Sequence, residues 1–259
     1  MGVVSAGKLD AHLRRRFLRQ RPEDSYDRVS LQFRSHSRCR PGPQRVACAS
    51  TDRARGARVA LAARNTDKLS KLAGETGALM FAADAAQPAS VAALFDEVAA
   101  EIGDPEVVVY NASGRLRGPL TELDPAAVEQ AIAVSAYGGF LVCQQAARRM
   151  IPQGRGAILF TGATASVKGY AQSAAFAMGK FALRGLAQSA ARELGPKGIH
   201  VAHFIIDGGI RSEVRREDPA KPDATLDPDA IAQTYIDVLL QHRSAWSQEI
   251  EVRPWTESF

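Results

Sequence analysis

The chain has no run of eighteen apolar residues, no Cys-x-x-Cys, and no grouping of histidine, cysteine and acids at metal-ligand spacing. The first absence excludes a membrane-spanning helix. Three cysteines (Cys39, Cys48 and Cys143) cannot build a disulfide framework; that points to a reducing compartment, hence the cytoplasm. Of five histidines only His200 and His203 lie close together, inside an apolar run with no third ligand nearby, so no metal site is expected.

What is present is ordinary in amount and uneven in place. Apolar residues make up 46% and charged residues 24%, and 259 residues suffice for one large α/β domain. The formal charge of +5 taken alone suggests an acidic partner. Yet residues 1–55 hold 13 basic residues, twelve of them arginine, against five acids, a net of +8. Residues 56–259 hold 20 against 23, a net of −3. The domain-sized part therefore makes no electrostatic case for nucleic acid, and the basic excess sets the first fifth apart.

From Gly56 onward the pattern is regular. Strand-length apolar runs at Ala57–Ala62, Leu79–Ala83, Val107–Tyr110, Ala157–Thr161 and His200–Ile206, with a short terminal strand at Glu249–Val252, alternate with helical stretches. Those stretches are a short one ending near Gly74, then Gln87–Glu101, Pro125–Met150, Ser173–Leu194 and Pro228–Gln241. Strands separated by such helices need crossover connections, which give a doubly wound parallel sheet, a single Rossmann-type α/β domain. Ligands of such sheets bind at the carboxyl ends of the strands. Residues 1–55 show neither period for long, and only 19 of the 55 are apolar; composition alone predicts poor order there.

The strand ends carry the chemistry. Arg64 follows the first clear strand, where a dinucleotide fold discriminates the adenosine ribose, and a guanidinium there suits a 2′-phosphate. A solvated loop arginine is the plain alternative. Asp84 follows the next strand, and Asn111-Ala112-Ser113-Gly114 the one after; small residues there let backbone approach a flat ligand. Taken singly, both are ordinary turns. Phe176 and Lys180 share a face of a mostly apolar helix. The lysine either snorkels to solvent or meets a ligand hydroxyl.

This ordered set resembles the short-chain dehydrogenase/reductases, single Rossmann domains that use NAD(P), over Gly56 to about Ile250. The resemblance implies that Asp84 lies by the adenine, that Asn111, Ala112 and Ser113 line the cofactor, and that Lys180 binds the nicotinamide ribose. It also implies that the segment Asp207–Ser212, with Gly208 and Ile210, holds the carboxamide. Arg64 resembles the NADP-preferring members. A small carbonyl or alcohol is the implied substrate, and a homo-oligomer, a dimer or tetramer packed through the two long helices, the implied assembly.

The departures bear on activity. The family transfers its proton through a Tyr-x-x-x-Lys pair, but the tyrosine position here is Phe176. The family serine falls on Ala163, with Thr164 and Ser166 beside it, and the family asparagine on Ser135. A substitute acid is one reading, with Tyr170 the best candidate and Thr164 in the serine's role. The others are a catalytically inactive nucleotide-binding or interaction protein, and unrelated chemistry on the same fold.

Such a fold also needs a first strand and a Gly-rich turn to seat the pyrophosphate. The glycines are expected near residues 38–45, where Arg38-Cys39-Arg40-Pro41-Gly42-Pro43-Gln44-Arg45 stands instead. One choice of synonymous codons for Arg38–Gln44, CGG TGC CGG CCC GGG CCT CAG, reads Gly-Ala-Gly-Pro-Gly-Leu when moved by one nucleotide. Residues 1–55 are therefore expected to be an out-of-frame product, poorly ordered, joined to an in-frame domain over 56–259. The first strand is expected to be missing from the sheet. A transit peptide and a nucleic-acid-binding arm are the competing readings.

Overall fold

Short, almost wholly apolar strands joined through helices can pair only in parallel, with a helix over each face. The computed structural model, which describes residues 30–34, 58–212 and 214–256, has that architecture. The strands are β1 (Ser30–Arg34), β2 (Val59–Ala63), β3 (Leu79–Ala82), β4 (Val107–Tyr110), β5 (Gly156–Thr161), β6 (Ile199–Ile206) and β7 (Glu249–Val252). They form one sheet in the order β3-β2-β1-β4-β5-β6-β7, every pair parallel. The helices are α1 (Ser70–Thr76), α2 (Pro88–Ile102), α3 (Pro125–Ile132), α4 (Gly138–Met150), α5 (Ala174–Leu194) and α6 (Pro228–Leu239).

Alternate residues of the strands feed opposite layers. Val108, Tyr110, Ile158 and Phe160 pack with Phe95 of α2, Val142 of α4 and Leu183 of α5. Val107, Val109, Leu159 and Phe204 pack with Ile231 and Tyr235 of α6. Val59 and Leu61 of β2 meet Leu69 and Leu72 at α1. Helix starts follow capping chemistry. Asp124 accepts from the Ala126 and Ala127 amides ahead of Pro125, and Asp227 accepts from the Asp229 amide ahead of Pro228.

Two expectations are corrected. The stretch from Pro125 to Met150 is not one uniform α-helix: a π-helical turn at Ala133–Tyr137 joins α3 to α4. The turn lies over β4, and the Tyr110 hydroxyl donates to the Val134 carbonyl, satisfying a group of the irregular turn inside the core. Gly138, just after it, sits so close that a Cβ would fall 2.5 Å from the Tyr110 hydroxyl and 2.7 Å from the Ala85 carbonyl oxygen. By composition the stretch Pro125–Gln153 is long and apolar enough to cross a membrane, yet Leu141, Val142, Ala146 and Met150 are spent on the core.

The second correction concerns the first strand. The place between β2 and β4 is filled by Ser30–Arg34, with Leu31 opposite Ala60 on one side and Val108 on the other. Without it two central strands would each expose a row of unpaired backbone groups. Val29-Ser30-Leu31-Gln32-Phe33-Arg34 alternates apolar and polar, a strand signal inside an otherwise aperiodic segment. The expected position of the Gly-rich turn, residues 38–45, and the rest of the basic segment lie outside the described residues.

Candidate active site

The strand order reverses direction between β1 and β4, and in such sheets the ligand crevice opens there, beyond the carboxyl ends. The ends of β2, β3 and β4 deliver candidates to that edge. Arg64 is the first residue after β2; it is exposed and forms no ion pair among the described residues. Asp84, after β3, is half-buried; its Oδ1 accepts from the Ala86 amide (3.0 Å), and its own amide donates to Ser90 Oγ (2.9 Å). Asn111, Ala112 and Ser113 follow β4, Ala112 fully buried. The Ser113 hydroxyl is buried with no partner, an orphan that a ligand hydroxyl or amide could satisfy.

Lys180 rises from α5 toward the end of β5. It is 3% exposed, and its Nζ donates to the Thr161 carbonyl at 2.6 Å. Burial, and secondarily the charge of Arg115, lower its pKa to about 7. An ammonium has three donors; the other two have no protein acceptor among the described residues. The aromatic ring four residues earlier, Phe176, has two cations near it, with Lys180 Nζ 6.0 Å and Arg115 Cζ 5.0 Å from its centroid. Arg115 went unmarked in the sequence reading. The only signal for it was a basic residue directly after the Asn111–Gly114 turn.

The remaining candidates divide. The Ser135 hydroxyl, fully buried in the π-helical turn, accepts from the Gly114 amide at 2.9 Å. The geometry thus gives it the task of fixing the loop that carries Arg115. Thr164 opens a 3₁₀ turn after β5, and its carbonyl accepts from the Val167 and Lys168 amides. Tyr170 lies farther along the same connection, 51% exposed, and no hydrogen bond joins its hydroxyl to Lys180 or Thr164. Gly208 has φ +145, a conformation that favours glycine, and a Cβ there would meet Pro254 at 2.8 Å. Ile210 bridges to Leu226. Asp207, where the family has proline, is buried and paired with Arg253 at 2.8 Å.

Beneath this edge sits His203. Its Nε2 is 3.4 Å from Ser166 Oγ and its Nδ1 3.5 Å from Glu249, which Arg184 grips through two 2.7 Å bonds. Burial holds the imidazole well below its usual pKa. His200 stacks on Trp246 at 4.6 Å and bonds the Ser247 carbonyl. Neither histidine reaches the crevice as a free base.

These residues fit the two riboside ends of a dinucleotide. Among the described residues, a cation without an ion pair stands after β2, a hydroxyl without a partner after β4, and a buried ammonium with spare donors at the end of β5. The pyrophosphate segment lies outside the described residues.

The likeness to known proteins agrees with this geometry. A family model described as enoyl-(acyl carrier protein) reductase matches residues 46–233. A short-chain dehydrogenase structure from Rhodopseudomonas palustris is 32% identical and covers 88% of this chain and 99% of that one, with TM-score 0.71. The chain belongs to the short-chain dehydrogenase/reductase family. A family structure of metagenomic origin, a short-chain oxidoreductase in complex with NADP, has TM-score 0.74 at 26% identity, over 88% of this chain and 97% of that one. D-threitol dehydrogenase of Mycolicibacterium smegmatis is 34% identical over 161 residues, 60% of this chain and 62% of that protein. L-2,3-butanediol dehydrogenase of Corynebacterium glutamicum is 33% identical over 149 residues, covering 58% of its length. The chain thus spans less than two thirds of these curated relatives.

Proposed function

We propose that the chain is an NADP(H)-dependent oxidoreductase that interconverts a small-molecule carbonyl and its alcohol. The observation that carries this reading is Lys180, a buried ammonium held at the end of β5 with unused donors, at the edge where a Rossmann sheet takes its ligand. Arg64, exposed and without a carboxylate partner among the described residues, supports a 2′-phosphate and hence NADP. Asp84, Asn111, Ala112, Ser113, Lys180, Gly208 and Ile210 would hold the rest of the cofactor.

The chemistry that NADPH would supply when bound is a hydride for the carbonyl carbon. The proton that the carbonyl oxygen must then receive comes from the chain. Lys180 Nζ, with a pKa near neutrality, can hold that proton and release it, as a general acid at the operating pH should. Tyr170 is the other donor on this edge, with Thr164 positioning the substrate oxygen and Ser135 fixing the Gly114 loop. The family relationship and the exposed rings of Tyr137 at the end of the π-helical turn, Phe140 on α4 and Phe181 on α5 support a homo-oligomer. A buried free thiol at Cys143 suits a reducing, cytoplasmic setting.

NADPH oxidation with a panel of carbonyls tests the reading. Lys180→Met is expected to abolish turnover, and Tyr170→Phe to lower it only if the phenol shares the proton step. Binding of NADPH without turnover of any carbonyl would instead support an inactive nucleotide-binding protein.

For residues 1–55 the reading is that of an out-of-frame product ahead of an in-frame domain. It is supported by the arginine excess and by two prolines where glycines are needed. The family match also begins at residue 46, downstream of that place.

A further inference from the structure

Positive charge gathers around Phe176 with no carboxylate paired to it among the described residues. Arg115 lies over one side of the ring at 5.0 Å and Lys180 stands 6.0 Å from its centroid. Arg215, in the segment after β6, folds its side chain back over Gly209, where a Cβ would lie 2.9 Å from its guanidinium nitrogen. Burial first, then repulsion from Arg117 and Arg215, holds the Arg115 pKa below its ordinary value, so the three guanidinium groups feel one another.

Several other arginines of the domain are matched by carboxylates. Arg149 meets Asp96 and Asp104, Arg155 meets Glu106, Arg184 meets Glu249, and Arg211 meets Glu217 and Asp227. Arg115, Arg117 and Arg215 form no ion pair among the described residues. Carboxylates are not scarce, because residues 56–259 carry an acidic excess. Arg115 lies over the Phe176 ring, and the five donors of its guanidinium meet no carboxylate among the described residues. That rigid fork matches a carboxylate or a phosphate, and gathering like charges without counter-ions costs free energy that an anionic ligand recovers.

We propose that this cleft selects an anionic substrate, a carbonyl or alcohol that also carries a carboxylate or phosphate group, held by Arg115 together with Arg117 and Arg215. The inference rests on the oxidoreductase reading of the same site. The anion takes no part in bond changes; it fixes the substrate so that the reacting carbon faces Lys180.

Binding can be read without cofactor or turnover, by isothermal titration of the full chain with malonate, with glycerol 2-phosphate and with neutral dimethyl malonate. The anions are expected to bind and the diester not. The stronger of the two anions tells carboxylate from phosphate. Arg115→Leu is expected to weaken the anion about tenfold or more, the loss of one charge-assisted contact. Arg215→Gln, on an exposed segment that tolerates substitution, is expected to weaken it as well. Equal affinity for the diester, no binding of either anion, or unchanged affinity in both variants would overturn the proposal. Turnover separates the two readings. Reduction of methyl 3-oxobutanoate as efficiently as 3-oxobutanoate would leave the enzyme and remove the anion cleft. Anion binding lost in Arg115→Leu with no turnover of any carbonyl would do the reverse.

Discussion

A phenol introduced by Phe176→Tyr would titrate between two cations, and the distances set how far its pKa falls. Arg115 Cζ and Lys180 Nζ are 5.0 and 6.0 Å from the ring centroid. At an effective dielectric near 20, a unit charge at that range is worth about 3 kcal/mol, roughly two pK units. One cation therefore brings a phenol from about 10 to about 8, and two bring it to about 6, with partial burial opposing. Lys180 itself has a pKa of about 7, so phenol and ammonium titrate as a pair, and the phenolate that forms first holds the ammonium charged. An apparent phenol pKa between about 6 and about 8 is expected. Phenolate absorbance of the variant minus that of the wild-type chain measures it without cofactor. Adding Arg115→Leu should raise the value by about two units. A phenol that titrates at 10 or above would refute the reasoning, because Arg115 and Lys180 could not then flank the ring. If proton transfer is what the site lacks, Phe176→Tyr should also raise carbonyl reduction by about a hundredfold or more.

Two further outcomes test the core. The unfolded chain keeps the Lys180 proton up to 10.5 while the folded chain loses it at about 7. Between those values the unfolded state binds more protons and stability rises with pH. Urea midpoints of the wild-type chain should climb across that window, and those of Lys180→Met should lack this component. At Gly138, alanine would press its Cβ to 2.5 Å from the Tyr110 hydroxyl and 2.7 Å from the Ala85 carbonyl, an overpacking worth about 1–3 kcal/mol. At Gly74, exposed in α1 with nothing within 4 Å of a Cβ, alanine should stabilise by about 0.5–1 kcal/mol. Equal midpoints for the two variants would contradict the packing.

Most of the sheet was legible because its strands are continuous apolar runs, which a chain forms only when both faces are covered. Val107–Tyr110 and Glu249–Val252 were read to the residue. Ser30–Arg34 was not, because an alternating run amid thirteen basic residues looks like a solvated segment; its place in the sheet centre comes from its neighbours' need for partners. The π-helical turn was hidden because one extra residue barely disturbs a 3.6-residue period. Around the candidate site, the positions of Arg64, Asp84 and Asn111 just after their strands, and of Lys180 on its helix, were legible because the strand and helix pattern fixes where each strand ends. Arg115 was not, since its stacking on Phe176 is a tertiary contact that no spacing encodes. Ser135 was read for its position, yet its hydroxyl is spent on the Gly114 amide.

The strand at Ser30–Arg34 sharpens the question of the missing turn. β1 ends at Arg34, so the connection that should wrap the pyrophosphate begins near residues 38–45, where glycines were expected. Position and content disagree. Pro41 and Pro43 each fix φ near −65° and remove an amide donor, whereas an anion at that turn needs consecutive free amides and backbone that comes close. The chain as it stands should therefore bind NADPH weakly. A chain carrying Gly-Ala-Gly-Pro-Gly-Leu over residues 38–43 should bind at least about tenfold more tightly, on the order of one charge-assisted contact regained. Quenching of the two tryptophans on NADPH titration compares the chains. Equal affinity would show that the connection after β1 plays no part in seating the cofactor. The out-of-frame reading would then rest on the gene alone, where the shifted frame either encodes that loop or does not.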